Sequence, residues 1–167
     1  MTDAEKKIVL VALVGVGGVG AYLLYKRFVE GSVDPTQVVQ APNDFVGKLA
    51  QAITIAEGSP AEWNNPGDLT GADASGYQLQ TDGDGNPITN SAGVVRFVNL
   101  PDGVAALYRK LQRIQDGASR VYSTAMSLAQ FAQIYTGGDN ADAWANNVAS
   151  FLGLDPNGNS VGDALGV

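Results

Sequence analysis

Between Lys7 and Lys26 the chain runs for 18 residues, Ile8 to Tyr25, without a charged side chain. At about 1.5 Å per residue a helix of that length spans roughly 27 Å, close to a hydrocarbon layer about 30 Å thick. Lys6 and Lys7 precede the run, Lys26 and Arg27 follow it, and Tyr22 and Tyr25 lie near its second boundary, where aromatic rings favour the headgroup level. The pattern predicts a transmembrane anchor over residues 1–28, and therefore a single-pass membrane protein with a lipid bilayer as a partner. Two basic residues flank each side, so charge alone does not orient it. Two other readings stay open. Gly15, Gly17 and Gly20 satisfy the G-x-G-x-x-G spacing of a dinucleotide-binding turn. That motif needs alternating strands and helices after it, and the sequence beyond Phe28 shows no such alternation. A cleaved signal peptide is the other, although the run is long for one and no A-x-A-like site follows.

The rest of the chain excludes much chemistry. There is no Cys and no His, which removes disulfides, thiolate nucleophiles, Ser-His-Asp triads and the usual zinc sites. Reaction chemistry must then rest on Asp, Glu, Tyr, Ser, Thr, Lys or a borrowed cofactor; no particular cofactor and no metal is expected. A formal net charge of -7 opposes binding to a nucleic-acid backbone, so no nucleic-acid partner is expected. Arg109, Lys110 and Arg113 share one side of a predicted helix and read as a solvated face.

Residues 29–42 read as a linker bounded by Pro35 and Pro42. A helix is predicted from near Asp44, with Asn43 before it. Phe45, Leu49, Ala52, Ile53 and Ala56 form its apolar stripe, and Gly58 ends it after Glu57. Ser59 to Ala92 is rich in turns, with Tyr77–Leu79 and Val94–Val98 as short strands of a small antiparallel hairpin. Asp82, Asp84 and Asn86 imitate the start of a calcium loop. Pro87 and Gly93 stand where that loop needs Gly and a bidentate Glu, so a turn is expected instead. Three helices follow. Asp102 caps one that presents Val104, Leu107, Tyr108, Leu111 and Ile114. Ser127 and Gln130 form a capping box for the next. Asn140 starts the last, with Ala141, Trp144, Val148, Phe151 and Leu152 inward and Gly153 as terminator. Residues 155–167 read as a Gly-rich tail.

Glu57 is the one carboxyl whose position is compatible with acid chemistry, although spacing alone favours a solvent-facing helix-end carboxylate. It follows Ile53 by four residues, at the edge of the apolar stripe, and it stands in the last turn of its helix. Partial burial and the exposed carbonyls of a helix end both favour its protonated form. A glycosidase acid has that property: it must hold a proton near neutral pH and still be able to release it. A solvent-facing helix-end carboxylate is the alternative. Glu62, Asp68 and Asp73 are candidates for a second, water-positioning carboxylate, but each also reads as an ordinary turn residue.

The run Ala52-Ile53-Thr54-Ile55-Ala56-Glu57-Gly58, followed by Trp63-Asn64-Asn65-Pro66-Gly67-Asp68-Leu69, resembles phage virion-associated lysozyme-like domains of the lytic transglycosylase type. Phe97–Leu107 and Ser127–Tyr135 resemble them too, so the likeness covers about residues 43–154. It implies an α+β, mainly α fold: a lysozyme-like domain with a small β-hairpin after the catalytic helix, here preceded by one transmembrane helix. It implies that Glu57 is the catalytic acid of a peptidoglycan-cleaving glycosidase. Trp63, Asn64, Asn65 and Tyr135 would then be substrate-binding residues, with the glycan strand, and other virion proteins, as partners. The domain would lie outside the cytoplasm, at a virion membrane or in the host cell envelope, and serve cell-wall penetration. Gly58 departs from the family, in which many members carry Ser after the glutamate. A non-catalytic virion protein, structural or glycan-binding, is the alternative reading of the same fold.

Overall fold

The computed structural model describes residues 45–167. Among these it holds five α-helices: α1 (Phe45–Glu57), α2 (Leu100–Gln115), α3 (Leu128–Tyr135), α4 (Ala141–Leu152) and α5 (Val161–Leu165), with one 3-10 turn at Ala61–Trp63. Helix α1 is central. It packs against α4 and α2, and against α5, while α3 packs on α4. Val46, Leu49, Ala50 and Ile53 recur at three- and four-residue steps along α1 and are all buried. They meet Ala106, Leu107, Leu111 and Ile114 of α2 and Trp144, Ala145, Val148 and Ala149 of α4 in one continuous core. Phe45, expected in the stripe, is 53% exposed; its ring lies over the backbone of Gly166, where a Cβ would sit 2.4 Å from it.

Helix ends follow local chemistry. The Ser127–Gln130 capping box forms in both directions, and Gly153 closes α4 in the left-handed conformation at φ 71°. Helix α2 begins earlier than Asp102. Asn99 is its cap, accepting from the Asp102 backbone N–H, and Pro101 sits in the first turn, where its missing N–H costs nothing. Residues 155–167, expected as a tail, end in α5, whose Ser160–Asp163 pair is a second capping box. Val161 N–H donates to Met126 O at 2.8 Å and Gly162 N–H to Thr124 O at 2.8 Å, so this last helix is tied to the segment before α3.

The structure corrects two expectations. No helix among the described residues is long and apolar enough to cross a membrane. The longest, α2, has 16 residues, about 24 Å, and carries Asp102, Arg109, Lys110 and Arg113. The run Ile8–Tyr25 on which the anchor rested lies outside the described residues. The single-pass assignment falls, and with it the virion-membrane or host-envelope location. The second correction concerns the α+β class. The stretch from Tyr77 to Val98 forms no strand; it is held by isolated antiparallel bridges, Leu79 to Phe97, Thr81 to Pro87 and Thr89 to Val95. Gln80, Ile88 and Arg96 pair through single backbone hydrogen bonds of 2.9–3.1 Å. Gly83, Gly85, Pro87 and Gly93 interrupt each run before a ladder can extend. The described residues are therefore mainly helical.

One glycine fixes how this loop region meets the helices. A Cβ on Gly103, in the first turns of α2, would lie 1.9 Å from the backbone oxygen of Asn64 and 3.0 Å from Pro66. Backbone cannot yield as a side-chain end can. Gly103→Ala is expected to lose about 1–3 kcal/mol or more of stability through overpacking, despite a gain of about 1 kcal/mol in helix propensity. Urea denaturation checks it; equal or greater stability in the variant would contradict the close contact.

Candidate functional site

Glu57 is the last residue of α1. Gly58 turns the chain away at φ +57°, its N–H donating to Thr54 O. The Glu57 side chain is half-buried and points toward α4, where the Trp144 indole Nε1–H donates to Oε1 at 2.8 Å. The carboxyl of Asp68 stands within hydrogen-bond reach of it. Burial, the negative charge of Asp68 and that shared hydrogen bond push the Glu57 pKa up to about 7; the Trp144 bond and the more distant Lys110 ammonium act the other way.

This has a consequence for stability. The folded carboxyl binds its proton more tightly than the unfolded one, whose pKa is 4.5. Its contribution is therefore fully present below about pH 4.5 and is lost as pH rises through 7. Glu57→Gln keeps an acceptor for Trp144 and stays neutral at every pH. It is expected to match the wild type near pH 4 and to exceed it at pH 8 by on the order of 1–2 kcal/mol, discounted for the solvent that reaches the half-buried group. Thermal melts at the two pH values test this. Parallel curves would show that the carboxyl is not held protonated.

Asp68 reaches Glu57 because the Asn64–Asp68 loop is pinned from three sides. Asn64 and Asp68 both adopt left-handed backbone conformations, φ 52° and 45°, which Asn and Asp tolerate better than most residues. Asn65 is 2% exposed. Its Nδ2 donates to Leu69 O and Val95 O, both at 2.9 Å, and its Oδ1 accepts from Leu69 N–H at 2.8 Å. Tyr135 Oη donates to Gly67 O at 2.6 Å. A side chain at Gly67 would collide with Leu107 at 2.8 Å and with that hydroxyl at 3.0 Å, so only glycine lets the loop approach α2 and α3. Buried Ser59, just past the end of α1, donates its hydroxyl to Asp68 Oδ1.

Aromatic rings form the wall behind the carboxyls. Tyr135 stacks on Trp144 at 5.1 Å, and Phe131 touches Tyr122, Tyr135 and Trp144 at 4.9–5.8 Å between centroids. Lys110 lies over the Tyr135 ring at 4.5 Å and pairs with Asp73 at 3.0 Å. Burial, then the nearby Glu57, hold the Tyr135 phenol well above its ordinary pKa, and burial pushes Tyr122 up to about 12. Both are neutral hydrogen-bonding groups at physiological pH.

Of the residues expected at a site, the structure brings Glu57 and Tyr135 together, through Trp144 and through Gly67. Asn64 and Asn65 lie in the adjoining loop, but their amides are turned to backbone: Asn64 Nδ2 donates to Phe97 O and Val98 O at 3.2 and 3.3 Å. Trp63 is further along, its ring under the Arg96 guanidinium at 4.4 Å. Phe97 is fully buried, edge-on to Tyr77. Asp82 accepts from the Asp84 and Asn86 backbone N–H groups, as a turn requires. Sequence reasoning missed Trp144 as a partner of Glu57, because its spacing marks it only as inward-facing. It weighed Asp68 and set it aside as a turn residue. Two shallow cavities, of about 330 and 350 Å³, open beside α4 near Asp142 and not at Glu57. No known protein family matches the chain, and no curated protein or solved structure is detectably similar to it.

Proposed function

We propose that this protein cleaves the glycan strand of peptidoglycan, with Glu57 as its single acid and base. The observation that carries the reading is the environment of that carboxyl: half out of water at a helix end, hydrogen-bonded by Trp144, with a pKa near 7. Such a group is loaded with a proton at neutral pH and can still deliver it. In the proposed reaction Glu57 protonates the glycosidic oxygen between N-acetylmuramic acid and N-acetylglucosamine, and the C–O bond breaks. The Glu57 carboxylate then takes the proton of the muramoyl 6-hydroxyl, whose oxygen closes a 1,6-anhydro ring. Asp68 touches Glu57, whereas two-carboxylate glycosidases separate their groups by about 5 Å or more across the scissile bond. That supports a one-acid route. The motif resemblance to phage virion-associated domains implies cell-wall penetration as the setting, with other virion proteins as neighbours.

The test is a zymogram on purified peptidoglycan with mass spectrometry of the released muropeptides. Clearing with 1,6-anhydro ends, lost in Glu57→Gln, is the expected result. A second reading is glycan binding without cleavage, which fits Gly58 standing where many of the resembling domains carry Ser after the glutamate. Retention of the protein on insoluble peptidoglycan with no muropeptide release, in wild type and variant alike, would select it.

A further inference from the structure

We propose that Arg96, laid on the ring of Trp63, is a binding site for one carboxylate, supplied in the proposed substrate by the peptide that the glycan strand carries. The identity of that ligand rests on the glycosidase reading; the site itself does not. Val95 and Phe97 are turned into the core, 1% and 0% exposed, so Arg96 between them projects to the opposite face of the extended run. Its backbone is held on both sides: the N–H donates to Ile88 O at 3.1 Å, and the carbonyl accepts from Gln80 N–H at 2.9 Å. Trp63 is held in turn. Its N–H donates to Pro60 O at 3.1 Å and its carbonyl accepts from Phe97 N–H at 3.0 Å, while Asn64 Nδ2 clamps Phe97 O and Val98 O. The guanidinium thus lies 4.4 Å from the ring centroid, with both partners on anchored backbone.

What sets this arginine apart is that its donors are unused. Arg109 makes a similar stack, 4.6 Å from the Tyr77 ring, but its Nη2 donates to the carbonyls of Asp73 and Ser75. Arg113 donates to Ala118 O, and Arg120 is exposed to water. Arg96 is half-buried, yet among the described residues its side chain meets no carboxylate and no carbonyl. Its Nε–H is covered without an acceptor, which leaves the two terminal amino groups for a partner. A partly desolvated cation without acceptors is costly, and the chain has 17 acidic side chains from which a partner could have come. The stack holds the flat fork in one orientation, which lowers the entropy lost when a ligand docks. A carboxylate matches that fork with two parallel N–H···O bonds. A phosphate dianion calls for more than one cation, and Lys110 and Arg109 are committed to Asp73 and to backbone. Trp63 is then the floor under the guanidinium, and not a bare surface for a sugar ring.

Calorimetric titration of the full-length chain with a soluble disaccharide–tetrapeptide, once as the free acid and once with its carboxyls amidated, tests this. The wild type is expected to bind the free acid about tenfold more tightly or better, and to lose that preference as salt is raised. Arg96→Gln is expected to bind the two forms alike. Equal binding of the two forms by the wild type, binding of neither, or a preference that survives in Arg96→Gln overturns the inference. A role confined to covering Trp63 would lower the melting temperature of the variant and produce no difference between acid and amide. If Arg96→Gln fails to fold, the nitrogen-15 signals of the arginine side chains in the wild type decide. That of Arg96 is expected to move with the free acid and stay still with the amide; movement of the other arginines alone overturns the inference. A carboxylate preference that runs through Arg96, in a protein that releases no muropeptides, leaves the site standing and removes the glycosidase. Muropeptide release that is lost in Glu57→Gln, from a protein that does not tell acid from amide, has the reverse meaning.

Discussion

Replacing Glu57 by Gln should lower peptidoglycan cleavage by a hundredfold or more while leaving the protein folded. The magnitude is that of removing a positioned general acid, about 10²–10⁴ in rate, and in the proposed reaction one group serves as acid and base in turn. The amide preserves what the carboxyl does structurally. It is the same size, it accepts from the Trp144 indole as Oε1 does, and it carries no charge to bury. What it lacks is a transferable proton. The pH profile makes the prediction sharper. With a pKa near 7, wild-type cleavage is expected to be full at pH 5–6 and to fall as pH rises above 7, because the protonated fraction of Glu57 falls. Residual activity in Glu57→Gln should show no such limb. Muropeptide release at several pH values, measured beside thermal melts of the same samples, checks both. Loss of activity together with loss of the melting transition would mean that a structural role had been mistaken for a chemical one. A variant that melts normally and cleaves normally would remove Glu57 from the mechanism.

How far this site is legible from sequence depends on the range over which each feature is decided. The end of α1 is decided within the thirteen residues from Val46 to Gly58: Val46, Leu49, Ala50 and Ile53 set the buried face, and Gly58 stops the helix, so the position of Glu57 at its edge can be read directly. The Ser127–Gln130 box and the Gly153 stop are equally local. The Ser160–Asp163 box has the same spacing and announces α5, but a five-residue helix in Gly-rich sequence gives too short an apolar pattern to reveal itself. The start of α2 shows how one polar residue can be mistaken for another. Asn99 and Asp102 are both capping types, and Pro101, which favours the first helical turn, points to Asn99. Alternating residues around Tyr77 and Val94 read as a hairpin because alternation says nothing about how many rungs a pair will form; the interrupting Gly and Pro residues leave only single bridges. The uncharged run near the N-terminus reads as a span from its length and its flanking basic and tyrosine residues; it lies outside the described residues, among which no helix is long and apolar enough to cross a membrane. Asp68 and Trp144 are a different case. They meet Glu57 only after α4 has packed on α1 and the Asn64–Asp68 loop has been pinned, 11 and 87 residues away from it in the chain. No local spacing encodes that contact.

The loop that presents Asp68 should be the most vulnerable polar feature of the domain, and Asn65→Ala should expose it. The side chain is buried and makes three hydrogen bonds, all to backbone: two donated, to Leu69 O and Val95 O, and one accepted, from Leu69 N–H. Alanine removes all three at once: Leu69 O still accepts from Val95 N–H at 3.1 Å, whereas Val95 O and Leu69 N–H lose the side chain that satisfies them. Each unsatisfied buried group costs about 1–3 kcal/mol. The sum, on the order of 3–5 kcal/mol, is a large share of the roughly 5–15 kcal/mol that holds a typical domain together. Asn65→Asp should fare no better, since a carboxylate would face the two carbonyls that the amide now satisfies. Asn64→Ala provides the contrast. That side chain is half-buried, its bonds are longer at 3.2 and 3.3 Å, and its loss should cost about 1 kcal/mol, plus the strain of alanine at φ 52°. Urea titrations of the two variants should therefore separate widely, with Asn65→Ala far below Asn64→Ala in midpoint. Similar midpoints would mean that the two asparagines are equivalent turn residues and that the loop is not anchored through Asn65. The functional corollary is directional. Because Asn65 holds Leu69 against Val95, and Asp68 is the residue before Leu69, loosening this anchor should release Asp68 from Glu57. Any Asn65→Ala protein that still folds at low temperature should then titrate Glu57 lower than the wild type does, by the part of the rise that Asp68 contributes beside burial.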